Sequence, residues 1–119
     1  MLPAQYRLKA KGDFRRVYNR GQVKACGAFI LYVGSGKNKN CRIGFSVSKK
    51  VGNAVTRNRL KRLFRHSAYA LIGKFQPRKN YVFVIRNGAK PLNQEQIKEQ
   101  MDWALSALHE GSVQERAGK

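Results

Sequence analysis

Two histidines, His66 and His109, six carboxylates and two cysteines are the groups from which acid–base, nucleophilic or metal chemistry would have to be built in this chain. Ribonuclease chemistry by general acid and base needs a pair of titratable groups near neutral pH. One histidine stands inside a cationic stretch and the other near the C-terminus, a poor pair for that work. The carboxylates are Asp13, Glu95, Glu99, Asp102, Glu110 and Glu115, so the span from Phe14 to Gln94 holds no acid at all. That leaves no carboxylate pair for a glycosidase or a two-metal nuclease. There is no P-loop, no HExxH and no GxSxG. Cys26 and Cys41 match no zinc or redox spacing and read as two small, half-buried thiols of a reducing compartment. No catalytic residue and no metal site within the protein is expected.

The chemistry that the sequence does carry is cationic. The span from Phe14 to Gln94 contains nineteen Lys or Arg residues, and the net charge of the chain is +19. The density peaks in KKVGNAVTRNRLKRLFR, 49–65, where Lys49, Lys50, Arg57, Arg59, Lys61, Arg62 and Arg65 put seven cations into seventeen residues. An ordinary surface helix alternates charge signs so that neighbours one turn apart attract. Like charge at this density repels itself and is relieved by a polyanion, for which nucleic acid is the leading candidate. An anionic membrane surface is the second, and acidic protein partners are the third. Membrane binding calls for an amphipathic helix whose apolar face has nothing else to pack on, and here a core competes for that face. Arg outnumbers Lys four to one within 57–65, and guanidinium forks grip phosphate oxygens bidentately.

These residues have to be positioned by a fold. With 119 residues, 42% of them apolar, the chain has the size and composition of one folded domain. The first ten residues are basic and irregular, and 110–119 reads as a frayed tail; both are expected to be flexible. Phe14, Val17 and Tyr18 share one face of a short helix over 11–21, with Gly21 as its stop. QVKACGAFILYV, 22–33, reads as one strand or as two broken near Gly27. GSGKNKN, 34–40, is a turn composition. CRIGFSVS, 41–48, alternates as a strand, which predicts a hairpin with 28–33. Asn53 caps a main helix from about Ala54 to Ile72, ended by Gly73. YVFVIR, 81–86, is a buried strand. Asn93 and Gln96 form a capping box for a last helix over about 94–109, with Ile97, Met101, Ala104, Leu105 and Leu108 on one stripe. The order helix, strands, helix, strand, helix defines an α+β, two-layer domain with a sheet of about four strands. The helix between two strands is a crossover, right-handed by default. AFILYV, 28–33, is the longest apolar run and cannot span a bilayer, and MLPAQYRLKAKGDF lacks the apolar run expected of a signal peptide. A cytoplasmic protein is expected.

On the main helix, at about 100° per residue, Leu60, Leu63, Phe64, Ser67 and Leu71 fall on the side that packs on the sheet. Arg57, Lys61 and Arg65 follow one edge of the polar face, Asn58 and Arg62 its centre, and Arg59 the far edge. The wet face is a cationic plate, and the free N–H groups after Gly52 and Asn53 add an anion site. If about five of these residues each neutralise a phosphate, log K falls with log salt at a slope of roughly −4. A second surface lies on the other side of the sheet. Phe14 and Tyr18 border the strand face of Ile30 and Tyr32, with Arg15, Arg16 and Lys24 nearby. That set suits single-stranded nucleic acid, whose bases stack while cations follow the backbone. The same aromatics also suit a second small core, and pattern alone does not choose between the two. A strand precedes the basic helix, which excludes a helix-turn-helix, and there is no RNA-recognition-motif signature.

SVSKKVGNAVTRNRLKRLFR, 46–65, closely resembles the signature of the bacterial ribonuclease P protein component family. The family's RNR core falls on Arg57-Asn58-Arg59, after a lead matched by Lys49-Lys50-Val51-Gly52-Asn53-Ala54-Val55. KGDFRRVYNRG resembles the family's first helix, FILYV its aromatic-bearing strand and YVFVIR its final strand, so the likeness covers about residues 7–109. It implies a left-handed crossover in place of the default. It implies a ribonucleoprotein endoribonuclease whose RNA subunit cuts the 5′ leader from precursor tRNA, using Mg²⁺ held mainly by that RNA. The catalytic RNA is then bound by Lys49, Lys50, Asn53, Arg57, Asn58, Arg59, Lys61, Arg62 and Arg65. The leader is bound by a groove of Phe14, Arg15, Tyr18, Ile30 and Tyr32. The protein raises substrate affinity and lowers the Mg²⁺ demand, and no stable protein partner is required. Two rival readings remain at this stage: a structural ribosomal-RNA-binding protein and a membrane-surface module.

Overall fold

The segment KNYVFVI is apolar on both of its faces, so it needs cover on both sides and a hydrogen-bonded neighbour on each edge. It receives all four. In the computed structural model, which describes residues 2–9, 11–20 and 22–118 (side chains of 2–9, 11–18 and 22–108), Lys79–Ile85 is strand β4 and lies inside a four-stranded sheet. The other strands are β1 (Gln22–Ala25), β2 (Phe29–Ser35) and β3 (Arg42–Val47), in the spatial order β1-β2-β4-β3. The helices are α1 (Lys11–Arg20), α2 (Ala54–Ala70) and α3 (Gln94–Gly118). The fold is α+β, as the order of elements predicts.

Register assigns each strand residue to a face. Leu31 pairs with Phe83 and Phe83 with Phe45, so Phe29, Leu31, Val33, Tyr81, Phe83, Ile85, Ile43, Phe45 and Val47 share one face. α2 and α3 cover it with Leu60, Phe64, Ala68, Ile97, Met101 and Leu105, all fully buried. Phe83 stacks on Phe45 at 5.7 Å and meets Phe29 edge-on at 5.1 Å. Tyr81 is buried in this layer, and its hydroxyl accepts from Gln76 N at 2.8 Å; burial pushes it up to about 12. The opposite face carries Ile30, Tyr32, Gly44, Ser46, Val82 and Val84, and α1 lies on it through Val17.

Both helix starts follow their local sequence. Asn53 Oδ1 accepts from Thr56 N at 2.9 Å. Asn93 and Gln96 exchange side-chain-to-backbone bonds of 2.9 and 3.0 Å, a reciprocal capping box.

Three expectations are corrected. The hairpin expected between 28–33 and 41–48 does not form, because β4 inserts between β2 and β3. The loop that follows β2 therefore bridges two strand spacings, about 9.6 Å, which a two-residue turn would not reach. The hairpin that does form joins β1 to β2 across Cys26-Gly27-Ala28, the break near Gly27. β3 and β4 pair in parallel, so α2 is a crossover between adjacent strands. The opening segment, expected to be irregular and flexible, is packed. Leu2 is fully buried, Leu8 N donates to Ile43 O at 2.9 Å, and Arg7 bridges β3 in parallel. The last helix, expected to stop near 109, continues in the backbone to Gly118 through the segment read as a tail. Gly21, the expected stop of α1, and the side chain of His109 lie outside the described residues. Cys26 and Cys41 are free thiols, half-buried and buried.

Candidate nucleic-acid interface

α2 splits its residues as the helical wheel requires. Leu60, Phe64, Ser67 and Ala68 are buried, and Asn58, Arg59 and Arg62 are exposed. Arg57, Lys61 and Arg65, along one edge, are half-buried. Lys49 and Lys50 are exposed in the turn that leads into the helix, and Asn53 is held at its cap. Among the described residues, no carboxylate pairs with any of these seven cations; the two ion pairs are Arg16–Asp13 and Lys74–Asp102. Arg59 Nη2 donates to Lys90 O at 3.3 Å, which steers that side chain toward the start of α3. Arg57 Nε is buried without a protein partner. The first turn of α2 holds no acid, so the positive end of its dipole is uncompensated.

On the other face of the sheet, α1 and β2 bring the predicted aromatics together. Tyr18 meets Tyr32 edge-on at 4.9 Å, and Phe14 lies 6.4 Å from Tyr18. Beneath them Val17, Val82 and Leu8 make the small second core that pattern allowed, while Phe14, Tyr32 and Val84 are only half-buried. This face therefore packs apolar side chains below and leaves an open aromatic rim above. A trough of about 340 Å³ runs along the rim, lined by Lys9, Lys11, Phe14, Arg15 and Tyr18. Tyr32 joins it through Tyr18. Ile30 sits one alternate position back along β2, paired with Val84, on the same face. Burial pushes the Tyr18 hydroxyl above the ordinary tyrosine range, against the pull of its hydrogen bond with Ser46. It stays a neutral hydrogen-bonding group at physiological pH.

The two surfaces meet around the edge strand β3, which sequence reasoning missed. A recess of about 220 Å³ is lined by Arg65 from α2, Gly44 and Phe45 from β3, Phe14 from α1, and Arg7 and Lys9 from the opening segment. The alternation Arg7-Leu8-Lys9 was the available signal. It is the pattern of a strand-like segment with its apolar residue turned inward, and Leu8 is 6% exposed. Gly44 is required here, because a Cβ on it would stand 2.7 Å from Phe14 Cε1 and 3.3 Å from Leu8 Cβ. Gly44→Ala is expected to push Phe14 off the sheet. The expected cost is about 1–3 kcal/mol of stability and roughly tenfold in affinity for a short single-stranded RNA. Anisotropy titration of a labelled oligonucleotide checks it, and an unchanged affinity would remove Phe14 from the binding surface.

An α+β domain with unpaired cations along one helix and a cation-lined aromatic trough along another is a nucleic-acid-binding protein. The family model for Ribonuclease P matches residues 2–109. The ribonuclease P protein component of Listeria monocytogenes is 38% identical over 101 residues, covering 84% of this chain and 85% of its own length. That of Streptococcus equi subsp. zooepidemicus is 38% identical over 104 residues, covering 87% of each. The chain belongs to the ribonuclease P protein family: it is the RNA-binding subunit of a ribonucleoprotein endoribonuclease that processes tRNA, and it works with the ribonuclease P RNA. A Staphylococcus aureus RNase P protein mutant, described as defective in mRNA degradation activity, superposes with a TM-score of 0.80 at 33% identity, over 88% of this chain and 89% of that one. The Thermotoga maritima RNase P protein shares the fold, with a TM-score of 0.75 at 21% identity over 84% and 96%. No helix among the described residues is long and apolar enough to cross a membrane.

Proposed function

We propose that the α2 face, with its lead Lys49 to Asn53, holds the catalytic RNA, and that the trough along α1, with the neighbouring β2 face, holds the single-stranded 5′ leader of precursor tRNA. The observation that carries this reading is the continuity of the two surfaces. Arg65 and Phe14 line one recess, so one protein can touch the ribozyme and the segment it removes. Arg57, Arg59, Lys61, Arg62 and Arg65 neutralise ribozyme phosphates, and Asn53 and Asn58 contribute hydrogen bonds. Phe14, Tyr18 and Tyr32 offer ring faces and edges to leader bases, Ile30 extends the apolar floor, and Arg15 follows the leader backbone. Anchoring the leader makes presentation of the scissile bond an intramolecular event, which raises the effective concentration of substrate at the RNA active site.

Magnesium is a hard cation that takes oxygen ligands, mostly carboxylates and phosphates. Among the described residues no group of three or more His, Cys, Asp or Glu is placed to hold a metal. In this reading the ion is held mainly by phosphate oxygens of the RNA. The protein lowers the demand for it by supplying fixed cations where two polyanions approach each other. In this reading the protein acts in the cytoplasm and needs no stable protein partner.

The test is cleavage of precursor tRNA by a bacterial ribonuclease P RNA at low Mg²⁺, with and without this protein, on substrates with and without a long leader. Rescue that depends on the leader is expected. RNA binding without rescue would instead support a purely structural RNA-binding role. Binding to anionic vesicles with no preference for folded RNA would support a membrane-surface role.

A further inference from the structure

A third cationic cluster lies at the end of the sheet away from the start of α2. β3 spans Arg42–Val47 and delivers the chain to Lys49 at its far end. At its near end, a row of Gly34, Asn80 and Arg42 crosses the sheet on the face that carries the trough. Above that row, Arg16 and Val17 of α1 close a recess of about 180 Å³ with Gly34 and Ser35. Two loops flank it. One follows β2 and carries Lys37 and Lys39; the other precedes β4 and carries Arg78, with Lys79 as the first strand residue.

These loops are fastened to each other. Gly36 N donates to Arg78 O at 2.8 Å. Gly36 also sits over the buried Asn80 amide, whose Oδ1 lies 2.7 Å from where a Cβ would stand. The backbones that carry these cations are therefore joined at Gly36 and Arg78. Arg78 has φ 62°, a left-handed conformation in which glycine would be unstrained. The chain places an exposed arginine there, although its side chain does nothing for the core. No carboxylate among the described residues pairs with Lys37, Lys39, Arg42, Arg78 or Lys79, and Arg42 Nε is buried without a protein partner. Only Arg16 has an acidic neighbour, Asp13 at 3.9 Å. Neither loop offers a large exposed apolar residue for insertion into a bilayer.

We propose that this cluster is a further leader site, holding backbone phosphates of nucleotides that lie beyond the aromatic trough. It rests on the reading of the trough as the leader groove. The direction follows from the fold. The ribozyme-binding lead at Lys49 stands at one end of the trough face and the loop cluster at the other. β2 passes from Tyr32 to Gly34 in about 7 Å. A leader leaving the ribozyme and crossing Tyr18 and Tyr32 meets the loop cations next. The contact reads charge rather than base identity, so it adds affinity for leader length and not for leader sequence.

The experiment uses the holoenzyme assembled with a bacterial ribonuclease P RNA, and precursor tRNAs with leaders of about 1, 4 and 12 nucleotides. Affinity is measured for the unaltered protein, for a Lys37→Ala/Lys39→Ala/Arg78→Gly variant and for Tyr18→Ala. The unaltered protein is expected to gain affinity in two stages, about tenfold on each lengthening. The triple variant is expected to lose the second gain, to keep the first, and to show a salt slope shallower by about 2 on the longest leader, as three fewer single-strand phosphate contacts require. Tyr18→Ala is expected to lose the first gain. A triple variant that keeps the second gain with its full salt slope would overturn the loop site alone. A triple variant that weakens the shortest-leader substrate equally would move the contact to the tRNA body and overturn it too. No gain at any length with the unaltered protein, together with a silent Tyr18→Ala, would overturn the groove reading beneath it.

Discussion

Replacing Arg57, Lys61 and Arg65 together by glutamine is expected to weaken binding of the ribonuclease P RNA about 1000-fold at physiological salt and to flatten the salt slope by about 3. The three residues stand at successive turns along one half-buried edge of α2, and no carboxylate among the described residues pairs with any of them. Each is free to give a charge-assisted bond to phosphate, of about 1.5–3 kcal/mol. Roughly tenfold per residue is the conservative end of that range. Glutamine is the informative replacement because the half-buried stems keep part of their packing, so a loss of affinity is not a loss of fold. Stability of the isolated protein is expected to move the other way. Removing three mutually repelling cations relieves the compact state, so the melting temperature holds or rises. Filter binding over a salt series and a thermal melt decide the matter together. An affinity loss under tenfold with an unchanged slope would take this edge of the helix out of the RNA contact. Arg57→Lys, which keeps the charge and loses the planar fork, is expected to cost much less.

The sequence was most legible where its signals are local. Asn53 and the Asn93–Gln96 pair announced two helix starts, and the hydrogen bonds stand where the pattern put them. The wheel for α2 separated Leu60 and Phe64 from Arg62 and Asn58, because the 3.6-residue period needs no knowledge of the partner. The stretch from Ser46 to Arg65 was specific enough to suggest the family before any fold was known. Strand order was not legible. YVFVIR, 81–86, announced a buried strand. Nothing local to β2 and β3 said that this distant strand would come between them. The recess around β3 was hidden for the same reason, since Arg7, Phe14 and Arg65 are joined only by tertiary packing. Tyr18 and Tyr32 suit a core or a groove by pattern, and tertiary packing sets Tyr32 against the second core and Tyr18 along the trough.

Phosphate or sulfate is expected to raise the melting temperature of the isolated protein by about 10 °C at saturating millimolar concentrations. The argument starts from the charge of +19 and the scarcity of carboxylates facing it. In the holoenzyme RNA supplies the missing anions, but the free protein folds against its own repulsion. Two places are built to take a small anion. The first turn of α2 has no acid, and the recess at β3 gathers Arg7, Lys9 and Arg65 within about 220 Å³. An anion that binds only the folded state at about 100 times its dissociation constant adds roughly 2.7 kcal/mol. For a domain of this length that is worth about 10 °C. Sulfate and phosphate also stabilise proteins generally by exclusion from the surface, so the rise alone does not decide. Site binding saturates at millimolar anion, whereas exclusion grows steadily with concentration. Pyrophosphate, with more charge per molecule, is expected to act at lower concentration than phosphate. The glutamine variant of Arg57, Lys61 and Arg65 is expected to respond less, having lost part of the recess and starting from a less strained state. A melting temperature that ignores phosphate and pyrophosphate, or follows sodium chloride at equal ionic strength, would show that the cationic surfaces cost the free protein little. The all-cation face of α2 would then call for an explanation other than neutralisation in the ribonucleoprotein.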